Sequence, residues 1–209
     1  MILSGEVERS PTELFRFHRR LLLVLAMVVI AGFSCGRGAS ERLPELFAVP
    51  NATLVDERGQ SLSLDSLKGS IVVYDFIYTR CNTTCPMMTA NMRRLTQKVP
   101  KDAAVRFVSI SVDPDYDRPA VLAEYAKRFR NDPRWIFLTG DRDTILKLSA
   151  EGFKLAAGGP PEPGAEPLLH SSKFAVADRS GTIRDYYGGT DGDLSDHVAA
   201  TVRTLLEEK

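Results

Sequence analysis

Two apolar runs set the limits on how this chain can fold. "IVVYDFIY", from Ile71, and "VRFVSISV", from Val105, are rich in β-branched and aromatic residues, as strands buried on both faces are. Between them Met88, Met92 and Leu95 recur at helical spacing. The same alternation continues downstream. "RPAVLAEYAKRF" reads as a helix with Asp117 as its N-cap, "WIFL" as a short strand and "DTILKLSAEGF" as a further helix. "KFAVADRSGTIRDYYGG" is a hairpin turning at Ser180 and Gly181, and "DLSDHVAATVRTLLEEK" closes the chain as an amphipathic helix. Ahead of the first apolar run, "TLVDERGQSLSLDSLKGS" gives a hairpin about Glu57, Arg58 and Gly59. This order calls for an α/β fold: a central mixed sheet flanked by helices on both faces, in one domain, with an N-terminal hairpin.

The first forty residues have a different character. Arg16, His18, Arg19 and Arg20 precede an uninterrupted apolar run over residues 21–33, the pattern of an export signal. Flanking cations hold the N-terminus in the cytoplasm, so the rest of the chain is delivered to the outer face of the cytoplasmic membrane, the periplasm or extracytoplasmic space. As a helix the run reaches about 20 Å against a hydrocarbon core of roughly 30 Å, marginal for a spanning anchor. Cys35 follows it in "GFSCG" and resembles a bacterial lipoprotein acceptor, with Gly32 where leucine is usual. A lipid on Cys35, an uncleaved anchor and simple cleavage all fit. Residues 1–40 are therefore expected to form a membrane-targeting segment with its tether, and residues 41–209 the folded domain. The stretch over 40–50, polar and ending in proline, reads as tether.

With 27 Lys and Arg against 27 Asp and Glu, and no basic run beyond the first twenty residues, nothing builds the positive surface that nucleic acid requires. Setting Cys35 aside leaves Cys81 and Cys85 alone in an exported domain, where thiols oxidise unless something reduces or occupies them. A 209-residue chain does not need a disulfide staple, and a loop this small restrains the unfolded chain little. Cys81 stands where a strand feeds a helix and Cys85 within that helix's first turns. Free backbone amides and the helix dipole favour thiolate there, and a spacing of four puts both sulfurs on one side. Redox couple and metal ligands both remain open on these grounds.

"RCNTTCP" after a strand, "SISVDPDYDRP", "FLTGDRD", and one histidine in "LLHSSKFAVADRSGTIRDYYGG" occur in this order, and together the chain from about Ala52 onward resembles the Sco/SenC family of copper chaperones. The resemblance implies a thioredoxin-like fold with added elements, a membrane tether, and one copper ion held by Cys81, Cys85 and His170. The glycine- and proline-rich stretch over 157–167 would carry His170. It also implies delivery to the binuclear copper centre of cytochrome c oxidase, with that enzyme's copper-bearing subunit, a copper donor protein and a thiol reductant as partners. Leu169 departs from the acidic residue often found before the histidine, which leaves ligation untouched but puts in doubt a tuning or docking role for that carboxylate.

The chemistry of the residues agrees. Two thiolates and an imidazole satisfy both Cu(I) and Cu(II) and leave a position open for a recipient. Zinc in a structural site wants a fourth ligand, and none stands at motif spacing. The competing reading is a thiol-disulfide oxidoreductase or peroxidase acting on exported cysteines, although thioredoxin-type enzymes space their cysteines by two residues and this chain by three. Other candidates are weaker. His18 and His197 read as solvated, and Met87 and Met88 as packing. Asp113, Asp115, Asp117 and Glu124 stand at calcium-loop spacing, but Arg118 occupies the glycine position and a strand precedes the loop. "GGTDGD" lacks the lysine of a phosphate loop.

Overall fold

The computed structural model describes residues 42–155 and 171–208. The expected export segment, with His18 and Cys35, and Leu169 and His170 lie outside them. Arg42–Lys209 form one compact unit. Eight strands make one mixed sheet: β1 Phe47–Ala48, β2 Thr53–Asp56, β3 Ser61–Ser63, β4 Ile71–Ile77, β5 Val105–Ser111, β6 Trp135–Thr139, β7 Lys173–Ala177 and β8 Thr182–Gly188. Their order across the sheet is β1-β8-β7-β4-β5-β6-β2-β3. The helices are α1 Cys85–Lys98, α2 Pro119–Phe129, α3 Arg142–Lys147 and α4 Leu194–Glu207.

The two apolar runs become the parallel centre of the sheet, with Ile71 opposite Val105 and Ile77 opposite Ser111. Every residue of β4 is buried. Strand alternation then divides its side chains between two layers. Tyr74 and Phe76 meet the edge of Phe153, with ring centroids 4.9 and 5.1 Å away, on one face. On the other face lie Asp75 and its register neighbour Ser109, whose hydroxyl accepts from Trp135 Nε1 at 2.9 Å. There α1 packs against α4 and α2.

The expected hairpins form. Asp56 accepts the amides of Arg58 and Gln60 at 2.9 and 2.8 Å and so stabilises the first turn. Gly181, at φ +84°, occupies the left-handed region that the β7–β8 turn demands, while Asp178 accepts the Ser180 amide at 2.9 Å.

Three local expectations change. The helix from residue 119 has Arg118 at its N-cap, with no side-chain cap, because the Asp117 carboxylate is engaged elsewhere. The helix read into "DTILKLSAEGF" begins at Arg142 under an Asp141 cap and widens into a π-helical turn over Leu148–Gly152. Part of the supposed tether is folded. Phe47 pairs with Ile183 and Ala48 with Thr182, while Arg184 donates to the carbonyls of Leu43 and Pro44, the latter at 3.0 Å. Two residues in extended conformation carry no periodicity, which is why β1 leaves no trace in the sequence.

Candidate metal centre

β4 ends at Ile77, and the chain turns through Tyr78, Thr79 and Arg80 before Cys81. Buried carboxylates brace this turn. Asp117 accepts the Thr79 amide at 2.9 Å, the Thr79 hydroxyl, and the Ser111 hydroxyl at 2.6 Å. Asp113 takes both Nε and Nη2 of Arg80, at 3.1 and 2.5 Å. The Arg80 guanidinium lies 4.3 Å from the centre of the Tyr116 ring, a cation–π contact. The "SVDPDYD" segment thus ties the end of β5 to the turn that presents Cys81. Its acidic residues are committed to these bonds, and Asp115 to Arg142 at 2.5 Å, and among the described residues no group of three His, Cys, Asp or Glu side chains is placed to hold a metal ion.

Cys81 and Cys85 are both buried and both free thiols. Cys85 opens α1, with Pro86 in its first turn and Thr84 making no side-chain cap. The Cys81 sulfur supplies the missing acceptor, taking the Cys85 amide at 3.3 Å, and Thr83 Oγ1 stands 3.6 Å from the same sulfur. The consequence is an asymmetry that the sequence does not carry. Burial works against the Cys81 thiolate, but the bonds from Cys85 and Thr83 outweigh it and bring the thiol down to about 6. Cys85 goes the other way: burial, then its bond to Cys81 and the charges of Cys81 and Asp75, hold it well above the ordinary thiol range. The expectation of thiolate at the helix entrance thus holds for Cys81 and fails for Cys85. Position along the chain puts both near the dipole, but at Cys85 burial outweighs the backbone bond from Tyr78 that favours thiolate.

Beneath Cys85 lies a residue that reading "IVVYDFIY" as an apolar run passes over. Asp75 is fully buried, and neither carboxylate oxygen finds a full hydrogen-bond partner. Burial pushes it up to about 7, tempered by Ser109 and by its own backbone amide. The signal was one ionisable residue inside a strand otherwise made for the core. Tyr125 of α2 shares this environment. Its hydroxyl bonds Thr89 at 2.7 Å, and burial, with smaller contributions from Cys85, Asp75 and Cys81, raises its pKa.

His170 lies outside the described residues, but the chain that follows it is well placed. Ser172 accepts the Gly189 amide at 2.5 Å, and Gly189 packs on Met88, one helical turn beyond Cys85. Met88 is core, as expected, whereas Met87 is 48 % exposed and does not pack. His197 is exposed, 3.7 Å from Asp193. The "GGTDGD" loop closes on α1 and the start of β7.

A mixed sheet with a thiol pair where a central strand enters its helix defines a thioredoxin-like protein with a dithiol site. The SCO1/SenC family model matches residues 46–207, and the chain belongs to that family. It is 31 % identical over 185 residues to the SCO1 protein homologue of Bacillus subtilis, covering 87 % of this chain and 94 % of that one. It is 30 % identical over 195 residues to a putative copper-binding protein of Stutzerimonas stutzeri, covering 88 % and 89 %. Among solved structures it is similar to BsSco, a member of the Sco family of cytochrome c oxidase assembly proteins in which a disulfide switch was identified. That match has a TM-score of 0.70 at 30 % identity over 81 % of this chain and all of that one. Bradyrhizobium japonicum ScoI with copper bound superposes with a TM-score of 0.64 at 26 % identity, over 77 % and 99 %. A SCO1/SenC family lipoprotein from Bacillus anthracis gives 0.69 at 30 %, over 77 % and 96 %.

Proposed function

We propose that this protein is a metallochaperone, not an enzyme. In this reading it binds one copper ion through Cys81, Cys85 and His170 and delivers it to the binuclear copper centre of cytochrome c oxidase. The observation that carries this reading is the pair of adjacent free thiols at the head of α1, one of them already acidic. At neutral pH Cys81 offers a thiolate and Cys85 a thiol, so copper binding releases the Cys85 proton to solvent. Two thiolates hold Cu(I), and an imidazole nitrogen makes Cu(II) tolerable beside them. Transfer proceeds by ligand exchange: incoming thiolates of a docked acceptor displace Cys81, Cys85 and His170 in turn, and the open coordination position admits the first of them. Copper-bound ScoI and the copper-binding relative support the choice of cargo. BsSco's place in oxidase assembly supports the acceptor.

Residues 1–40 act as export signal and tether, and residues 41–209 as the copper-binding domain. The Bacillus anthracis lipoprotein supports a lipid on Cys35 and a station on the outer face of the cytoplasmic membrane. Among the described residues no helix is long and apolar enough to cross a membrane.

The asymmetry of the thiols favours an accessory role as thiol-disulfide reductase. The Cys81 thiolate attacks an acceptor disulfide and expels one acceptor thiolate. Cys85, losing its proton, then displaces the second, leaving a Cys81–Cys85 disulfide and a reduced acceptor. An external dithiol must then return two electrons.

His170→Ala separates the two roles. In the metallochaperone reading the variant keeps weakened Cu(I) binding, loses stable Cu(II) binding with its thiolate-to-copper charge-transfer absorption, and fails to restore oxidase assembly to cells lacking the protein. Unchanged affinity in both oxidation states with full complementation would put the dithiol chemistry first.

A further inference from the structure

Asn91 sits on α1 two turns beyond the thiols and is only 1 % exposed. Nothing about packing against a loop calls for an amide at a buried helical position, where an apolar side chain serves better. Yet every part of this amide is in use. Its Nδ2 donates to the carbonyl of Gly189 at 2.7 Å and to that of Asp191 at 3.4 Å, while its Oδ1 accepts from Arg94 at 2.6 Å. Arg94, a donor only, fixes which end of the amide faces the loop.

What Asn91 holds is placed with little freedom. A methyl group on Gly189 would stand 2.7 Å from the Ser172 carbonyl oxygen, 3.1 Å from Met88 Cγ and 3.1 Å from Phe174. The loop therefore approaches β7 closely enough for the Gly189 amide to reach Ser172 at 2.5 Å. Ser172 is where the chain re-enters the sheet, two residues after His170. Two residues span at most about 7 Å of backbone. Met88 and Cys85, three apart on a helix, present side chains about 5–6 Å from each other. The re-entry point thus limits how far position 170 can lie from the first turns of α1.

We propose that Asn91 is a positioning residue for the third copper ligand: through Gly189 it holds Ser172, two residues after His170 in the sequence, beside the first turns of α1. This rests on the assignment of His170 as a ligand made above. Asn91 touches neither sulfur, so it acts only through Gly189 and Ser172. The effect it exerts should appear in the oxidation state that depends on the imidazole and be absent from the one the thiolates can hold alone.

The test compares four full-length proteins in detergent, reduced and then titrated with Cu(I) or Cu(II): wild type, Asn91→Ala, His170→Ala and the double variant. Asn91→Ala is expected to weaken Cu(II) binding by about tenfold or more, the scale for a residue supporting a ligand, and to shift or bleach the charge-transfer band. Cu(I) affinity should stay within about threefold, because both thiolates remain. In the His170→Ala background the Asn91 substitution should change neither. Asn91→Asp, which keeps the size and the Arg94 contact but loses the donors, should behave like Asn91→Ala and serves if the alanine variant does not fold. Equal losses in both oxidation states, an undiminished effect without His170, or no effect on the Cu(II) spectrum would each overturn the inference. If His170→Ala alone leaves Cu(II) binding intact, the ligand assignment itself has failed, and that is read before any Asn91 variant is considered.

Discussion

Two buried charged residues at opposite ends of the same sheet are treated in opposite ways. Arg184, at the start of β8, has all three guanidinium nitrogens bonded. Nη1 donates to Asp178 and to Glu208 at 2.9 Å each, Nε to the Pro44 carbonyl at 3.0 Å, and Nη2 to Leu43. Arg179 beside it donates to the carbonyls of Leu205, Leu206 and Glu208 that α4 leaves free at its end. Asp75, toward the thiol end of β4, is as deeply buried and has no full partner at all. The difference teaches where this molecule is built for stability and where it is not. A satisfied buried charge ties segments together, whereas an unsatisfied one persists against its own desolvation, and such groups gather at functional sites.

The sharpest break between the two ends should come from the cysteines. Cys81→Ser or Cys85→Ser removes half of the soft donor set, and copper affinity is expected to fall by at least about a thousandfold, measured by competition with a chelator of known affinity. The melting temperature of the reduced, metal-free protein should barely move. Arg184→Leu should do the converse. It removes the cation from Asp178 and Glu208 and releases Leu43 and Pro44, with a loss of about 3 kcal/mol in urea unfolding and copper affinity unchanged in the folded fraction. Loss of copper binding in folded Arg184→Leu would dissolve the contrast.

Asp75→Asn should be smaller and opposite in sign. The folded carboxyl titrates at about 7, above its unfolded value, so between about pH 4 and 7 the folded state binds a proton that the unfolded state has lost. The Asp75 contribution to stability therefore falls as pH rises through that window and is flat above it. The variant lacks this decline, and at pH 8 it should be more stable than wild type by about 2 kcal/mol, with the gap closing toward pH 4. A variant less stable than wild type at pH 8 would mean that the carboxylate is paired after all. The smallest effect belongs to Asp141, an exposed N-cap that accepts the Thr144 amide at 2.9 Å. Asp141→Ala should lower the melting temperature by about 2–4 °C without touching copper, a measure of what an ordinary capping carboxylate contributes.

Much of this is legible in the sequence. β4 and β5 announce themselves because strands buried on both faces are apolar along most of their length, and the β7–β8 hairpin because its tight turn needs Gly181. α1 announces itself by the spacing of Met88, Met92 and Leu95. The thiol pair stood out because two cysteines in a chain expected to be exported need a reason. The π-helical turn after Lys147 was hidden, since it keeps the residue types of an α-helix while changing the pitch. Asp117 was misread as a cap because "DRP" is a good cap signal locally, and only the third dimension brings Thr79 and Ser111 to its carboxylate.

By itself, the sequence determined the alternation of strands and helices, the export segment as an expectation, and the identity of the two sulfurs, because each depends on residues close together in the chain. The tertiary structure alone decided how those sulfurs differ, which buried carboxylate lies beneath them, and how Asn91, Gly189 and Ser172 meet across about a hundred residues of sequence. The physical reason is that hydrophobic periodicity is a local property, whereas the desolvation and hydrogen bonding that set the state of a thiol or carboxyl come from groups that only folding brings together.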